Sequence, residues 1–352
     1  MKIGINARTF SVDEPGGAVQ ASIRLTEEII SHPEHEVVLF GSSTLAGEFD
    51  AEVFSTGFVD NQALGLVWER TVLPLLTQKA EVDVLYCPNG NGPLHEIDIP
   101  VVMCIHDVNA QKGMSSGVHQ FYRKLVVPVS ARACDKIVTV SEFSKREICS
   151  VLDISDDKVK VIYNGVSENY FEENSTAIDL PDEYLLFVGS LNPRKNIQGL
   201  LRAFKKIREE RDIELVIIGP SNKDIFQNLE LESFSGIHIC GFVDELEVKY
   251  AYENAEVFVF PSFYEGFGLP PLEALACGTP IVVSDRSSMP EILGDCAVFV
   301  NPESSQEIAS GIHSILDGEQ TFDEDMLRSH AEKFTWESVR TNAISLFEEV
   351  NE

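Results

Sequence analysis

The chain has 352 residues, 44% of them apolar and 9% aromatic, enough for two sizeable cores rather than one. It carries 27 basic against 57 acidic groups, a formal net charge of −30. Both halves share the excess: 14 basic against 26 acidic over residues 1–180, and 13 against 31 over residues 181–352. Such a surface argues against nucleic acid as a partner and against a strong electrostatic anchor to an anionic membrane. It suits high salt, where screening removes self-repulsion, although an acidic protein of ordinary habitat has the same composition. No apolar run reaches the roughly 18 residues of a membrane-spanning helix.

The opening MKIGINARTF alternates like a strand and lacks the charged and apolar regions of a signal peptide. A cytoplasmic chain that begins with its first core strand is therefore expected. Lys2–Asn6 and Glu36–Phe40 read as strands, with a helix over about 18–30 between them. Pro15-Gly16-Gly17-Ala18 precedes that helix, and its glycines permit close approach of backbone to a phosphate or an acceptor. The spacing is not G-x-G-x-x-G, which disfavours a dinucleotide site. Further apolar runs at 83–86, 101–105, 136–140 and 159–163 read as strands, with helices near 64–78, 118–134 and 142–152. The run at 101–105 ends in His106 and Asp107. Ser141 is placed to cap the helix that follows. Asn164-Gly165 is explained as a turn.

Alternating β and α segments imply a parallel sheet covered on both faces. The polar stretch ENYFEENSTAIDLPDE then marks a joint, with a first domain over 1–172, a linker over 173–183 and a second domain over 184–334. In the second domain, strands are expected at 184–188, 214–218, 237–240, 257–260 and 281–283. Ser190-Leu191-Asn192-Pro193-Arg194-Lys195-Asn196 follows the first of these. A last helix over about 335–350 carries Trp336, Val339, Ala343 and Phe347 at helical spacing. Seven cysteines, with no C-x-x-C pair, read as free thiols in a reducing compartment. No Cys/His cluster or H-E-x-x-H is present, so no metal site is expected. Asp323-Glu324-Asp325 reads as the charged start of a helix.

Residues 261–280, PSFYEGFGLPPLEALACGTP, carry the most specific pattern in the chain. Glu265 opens the turn Glu265-Gly266-Phe267-Gly268. Glu273 lies in a short helix seven intervening residues further on, and apolar strands flank the whole. A glycine turn at a strand end exposes backbone N–H groups where a phosphate or sugar oxygen binds.

This pattern, with Ala276-Cys277-Gly278-Thr279-Pro280 after it, resembles the E-x7-E signature of the retaining glycosyltransferases of family 4. The resemblance covers nearly the whole chain and is tightest over 187–292. It implies an α/β protein of GT-B architecture, two Rossmann-like doubly wound domains facing across a cleft, with the last helix packed back on the first domain. It implies that Arg194 and Lys195 hold the donor diphosphate. A fork and a point charge are suited to the charge that develops on a leaving nucleoside diphosphate. It implies that Glu273 accepts hydrogen bonds from the donor ribose and that Gly266, Phe267, Gly268 and Leu269 lie against the donor. Val243, in Gly241-Phe242-Val243-Asp244, meets the nucleobase through backbone. Gly16 and Gly17 border the donor, and His106 donates a hydrogen bond to the donor sugar or phosphate. Glu265 is a candidate nucleophile for double displacement; the resemblance implies a positioning role instead, with front-face attack assisted by the leaving phosphate.

The implied reaction moves a sugar, first choice mannose from GDP-mannose, to a glycan or lipid-linked acceptor, with no cofactor and no metal. Acceptor contacts are expected from loops 42–65 and 109–117. Peripheral membrane contact is expected at most, through the helix carrying Phe121, Tyr122, Arg123 and Lys124. Two alternatives share the architecture: a nucleotide-sugar epimerase or hydrolase, and a catalytically silent partner subunit. The second predicts losses at His106, Arg194, Lys195 or Glu273, and all four are present.

Overall fold

The computed structural model describes residues 1–10, 16–32, 34–56, 62–113, 118–219 and 235–352. The chain divides into two compact units, residues 1–165 with 336–352, and residues 166–335. Residues 166–172 and the polar stretch 173–183 thus lie with the second unit.

Among the described residues the first unit holds seven strands: β1 (Lys2–Asn6), β2 (Glu36–Phe40), β3 (Glu52–Phe54), β4 (Val84–Cys87), β5 (Val101–Cys104), β6 (Lys136–Thr139) and β7 (Val159–Val161). They are ordered β3-β2-β1-β4-β5-β6-β7, and every pairing is parallel. The second unit holds β8 (Tyr184–Val188), β9 (Glu214–Ile218), β10 (Ile237–Gly241), β11 (Val257–Phe260), β12 (Ile281–Ser284) and β13 (Val298–Val300). Their order is β10-β9-β8-β11-β12-β13, again parallel throughout. In each sheet the chain builds outward from its first strand, then returns to that strand's other edge. The order therefore reverses between β1 and β4, and between β8 and β11. Open α/β sheets bind ligands outside the carboxyl ends of the strands at such reversals.

Strands buried on both faces read as continuous apolar runs, and the central ones do: Val84–Cys87, Val101–Cys104 and Val257–Phe260 are buried at every position. Each fully buried Val, Leu, Ile or Phe contributes roughly 1.5–3 kcal/mol of transfer free energy. The edge strands β3 and β13 are three residues long and only part-buried, too short to give a periodic signal. The stretch expected as one helix over 64–78 is two, Gln62–Thr71 and Leu73–Ala80. Pro74 explains the break: it has no N–H to donate and is tolerated only in a helix's first turn, where it stands. Pro15 and parts of the loops 42–65 and 109–117 lie outside the described residues, as do the side chains of Phe121, Tyr122 and Arg123.

The helix Trp336–Asn351 belongs to the first unit. Arg340 Nη1 lies 2.7 Å from His32 Nδ1 and 3.9 Å from Glu28 Oε2. Phe347, fully buried, packs its ring 5.2 Å from that of Tyr86. Phe347→Ala should therefore destabilise the first unit by about 3–5 kcal/mol, read as a lower urea midpoint for its unfolding transition.

Candidate active site

The second sheet's reversal gathers two loops. After β8 the chain passes Gly189 and enters the 3-10 turn Pro193–Lys195. Asn196 then takes the left-handed conformation (φ 56°, ψ 37°) and caps the helix Ile197–Glu210 by accepting from Gly199 N–H at 3.2 Å. Asn196 Nδ2 donates to the carbonyls of Pro261 (3.0 Å) and Pro302 (2.6 Å). One buried amide thus fixes the β8 loop against the β11 loop. Phe263 N–H, donating to the Arg194 carbonyl at 2.8 Å, adds a second tie.

These ties bring Arg194, Lys195 and Glu265 together. Arg194 Nη1 donates to Glu265 Oε2 at 2.7 Å and to the Tyr264 carbonyl at 2.9 Å. Lys195 Nζ lies 2.8 Å from Glu265 Oε1 and 4.4 Å from the centre of the Phe260 ring. Glu265 is 5% exposed and Lys195 7%. Burial works to raise the Glu265 carboxyl, but Lys195 and then Arg194 outweigh it and hold the group below the usual glutamate range. The pair of cations is thus charge-matched by a buried, ionised carboxylate.

The turn itself is tightly held. Glu265 N–H donates to Ser287 Oγ at 3.1 Å. The Ser288 hydroxyl lies within hydrogen-bond distance of the carbonyls of Phe267 (2.8 Å) and Glu265 (3.1 Å), which share its one proton. Gly268 has φ +102°, a backbone conformation that side-chain-bearing residues rarely adopt, so the turn demands glycine there. Gly266 and Phe267 are buried, and Phe267 packs edge-on to Phe334 at 5.9 Å. Leu269 starts the helix Leu269–Ala276, which carries Glu273.

Glu273 has a different environment. It keeps part of its surface open, yet dense protein around the carboxyl pushes it up to about 7. Tyr252 Oη donates to Glu273 Oε2 at 3.1 Å and pulls in the other direction. Val243 is half-buried, between Gly241 (φ +72°) and Asp244, which caps the helix Glu245–Glu253 in a reciprocal capping box.

In the first unit, His106 follows β5. Its Nε2 lies 3.1 Å from the Pro88 carbonyl and 3.6 Å from Cys104 Sγ. A ring nitrogen that close to a carbonyl carries the proton, so Nδ1 is a donor only in the imidazolium form. Asp107 accepts from Asn109 N–H and Nδ2, both at 3.1 Å, and so caps the next turn. Gly16 and Gly17 are exposed at the start of the helix Gly17–Ile30, and among the described residues a Cβ at either would meet nothing within 4 Å. Neither φ, at −68°, nor packing against the described residues requires glycine at Gly16.

Sequence reasoning missed Tyr252, Ser287 and Ser288. Tyr252 stands in an ordinary helical pattern, and the serines lie in a loop after β12, so no local signal marks them. Asn196 was accessible as an Asn before an amphipathic helix. Among the described residues, no group of three or more His, Cys, Asp or Glu is placed to hold a metal ion. No described helix is long and apolar enough to cross a membrane.

Two parallel Rossmann-like sheets of this kind define the GT-B architecture. The fold is that of sucrose-phosphate synthase from Thermosynechococcus elongatus, with a TM-score of 0.76 at 17% identity over 99% of this chain and 98% of that one. Residues 169–333 match the glycosyl transferases group 1 and residues 15–170 match glycosyltransferase family 4. An uncharacterized glycosyltransferase of Methanocaldococcus jannaschii is 30% identical over 294 residues, 75% of each chain. The O-antigen chain mannosyltransferase B of Escherichia coli is 30% identical over 270 residues, 72% of this chain and 68% of that one. The chain belongs to this family of GT-B glycosyltransferases, and it is a transferase that takes its sugar from a nucleotide sugar.

The raised Glu273 has a stability consequence whose sign is fixed. The folded chain keeps this proton up to about pH 7, while the unfolded chain releases it near 4.5. The contribution is full below 4.5 and is lost as pH rises through 7. Glu273→Gln, which imitates the protonated form, should raise Tm at pH 8 by the equivalent of up to about 3 kcal/mol and change it little at pH 5. Thermal melts of both chains at the two pH values check this.

Proposed function

We propose that the chain is a retaining glycosyltransferase that transfers a hexose, with mannose from GDP-mannose as the first choice, to a glycan or lipid-linked glycan. The observation that carries the reading is the convergence of Arg194 and Lys195 on the Glu265 turn, at the strand-order reversal of the second sheet. Cleaving a sugar–phosphate bond places charge on the departing diphosphate, and fixed cations are most effective where charge develops. Arg194 and Lys195 take that role, without a metal. Glu273 anchors the ribose, and the backbone of Gly266, Phe267, Gly268 and Leu269 lines the donor, with Val243 at the nucleobase. Glu265 positions the donor sugar. His106, Gly16 and Gly17, from the first unit, act at the sugar and phosphate. The mannose assignment draws on the E. coli O-antigen relative. A cytoplasmic chain with at most peripheral membrane contact fits the acidic balance.

Transfer and hydrolysis separate on donor alone: a transferase releases nucleoside diphosphate slowly until an acceptor is added. Arg194→Ala and Lys195→Ala should each lower turnover by about 10²–10³-fold, measured at a temperature where the variants are folded, since each also leaves the buried Glu265 short of a partner and lowers Tm; the parent enzyme should keep its rate in excess EDTA. Near-normal turnover in both variants, or loss in EDTA restored by manganese, rules the reading out. His106→Ala should lower kcat while leaving GDP affinity within about twofold, since an interaction made in the transition state appears in turnover and not in ground-state binding. Calorimetry beside steady-state kinetics separates the two.

A further inference from the structure

We propose that Tyr252 is the positioning residue for Glu273: its hydroxyl holds one carboxylate oxygen and leaves the other for the nucleotide ribose. The inference rests on the reading of Glu273 as the ribose anchor and adds a residue that no family resemblance or relative assigns.

The geometry is specific. Tyr252 is fully buried on the helix Glu245–Glu253, and its Oη donates to Glu273 Oε2 at 3.1 Å. The ring is held on two sides and the backbone behind it by a third contact. Phe258 meets it edge-on at 5.3 Å, Tyr170 edge-on at 6.0 Å, and Thr279 Oγ1 donates to the Tyr252 carbonyl at 2.7 Å. A phenol so enclosed has one rotamer, so its hydroxyl fixes the rotation of the carboxylate it bonds. A carboxylate anchored by one oxygen presents the other in a defined direction. Glu273 sits on the outward side of the helix Leu269–Ala276, half-buried, while its neighbours Leu272 and Ala274 are wholly enclosed. That placement suits contact with a ligand rather than a core role.

The hydrogen bond also governs ionisation. Burial pushes Glu273 up to about 7, and the Tyr252 hydroxyl is the foremost group opposing that rise. The other charged and titratable groups around it are few. Glu245, on the first turn of the same helix as Tyr252, raises it further, and Lys195 lowers it. Tyr170 and Tyr252 are themselves held far above their usual range by burial, and so stay protonated donors. Cys277, at the end of Glu273's own helix, is neutral, since burial raises its thiol too. From the packed helix Glu324–Ala331, Arg328 is committed to the Ala276 carbonyl at 3.0 Å. Ribose hydroxyls donate, and the ionised carboxylate is the stronger acceptor for them. Tyr252 therefore opposes the rise and favours the ionised form of the anchor, as well as aiming it.

The test uses the full chain, with GDP and UDP as probes, in four forms: parent, Tyr252→Phe, Glu273→Gln and the control Tyr170→Phe. Carbon-13 NMR of glutamate carboxyls in the ligand-free chain gives the Glu273 titration directly, assigned by its loss in Glu273→Gln. Tyr252→Phe should move that midpoint up, while Tyr170→Phe should leave it in place. Affinity by calorimetry should fall by about fivefold at pH 6.5 and by no more than about twofold at pH 8.5 in Tyr252→Phe, the pattern of a raised anchor pKa. The nucleotide's own phosphate titrates near pH 6, and Glu273→Gln carries that dependence alone, so it is the reference profile. A merely structural role for Tyr252 would lower Tm and affinity equally at both pH values and leave the carboxyl midpoint unmoved; that result overturns the proposal. If Glu273→Gln binds either nucleotide as well as the parent does, the anchor reading fails, and the inference with it. If Glu273→Gln weakens binding but Tyr252→Phe leaves both the midpoint and the affinity unchanged, the inference alone fails.

Discussion

The ion triplet of Glu265 with Arg194 and Lys195 is the constraint on which the second unit's site depends. A carboxylate only 5% exposed is costly unless paired, and two cations on one short turn repel one another unless an anion stands between them. Each problem solves the other. The solution works only if the β8 and β11 loops are held together, and much of the local structure does that. Asn196 adopts a left-handed backbone and uses its amide to bind the carbonyls of Pro261 and Pro302. Ser288 bonds two carbonyls of the glycine turn.

The two glutamates show how one short segment creates opposite electrostatics. Both are desolvated. Glu265 has two cations within 3 Å and is held ionised below the usual range. Glu273, four positions along a helix from its start at Leu269, has a phenol and a more distant Lys195, and burial prevails. On the proposed reading the division is useful. The first carboxylate is a fixed charge beside the departing phosphate, and the second is a tunable acceptor for neutral hydroxyls.

Neighbouring strand ends explain why this geometry occurs where it does. β8 and β11 are adjacent in the sheet but some 70 residues apart in the chain, because β9 and β10 are laid on the other edge first. The parallel register then brings the two following loops side by side. The first sheet repeats the scheme with β1 and β4, and the helix Trp336–Asn351 completes its core through Phe347 and Tyr86.

The sequence by itself determined everything that depends on local period and turn chemistry. Unbroken apolar runs marked the central strands. Glu265-Gly266-Phe267-Gly268 marked a glycine turn, and Arg194-Lys195 marked a basic pair after a strand. Ser141 marked a helix start, and it accepts the expected backbone N–H. Strands β3 and β13 escaped notice because each is only three residues long, and the helix pair at 62–80 was read as one because Pro74 breaks it without disturbing the apolar spacing; β7, equally short, was legible because its apolar run extends to residue 163. Only the tertiary structure decided which oxygen of Glu265 meets which cation, that Tyr252 bonds Glu273, and that Asn196 joins two loops. Those contacts link residues 21 to 106 positions apart. They are set by strand order and helix packing, which are properties of the assembled sheet and leave no pattern in any short window of the chain.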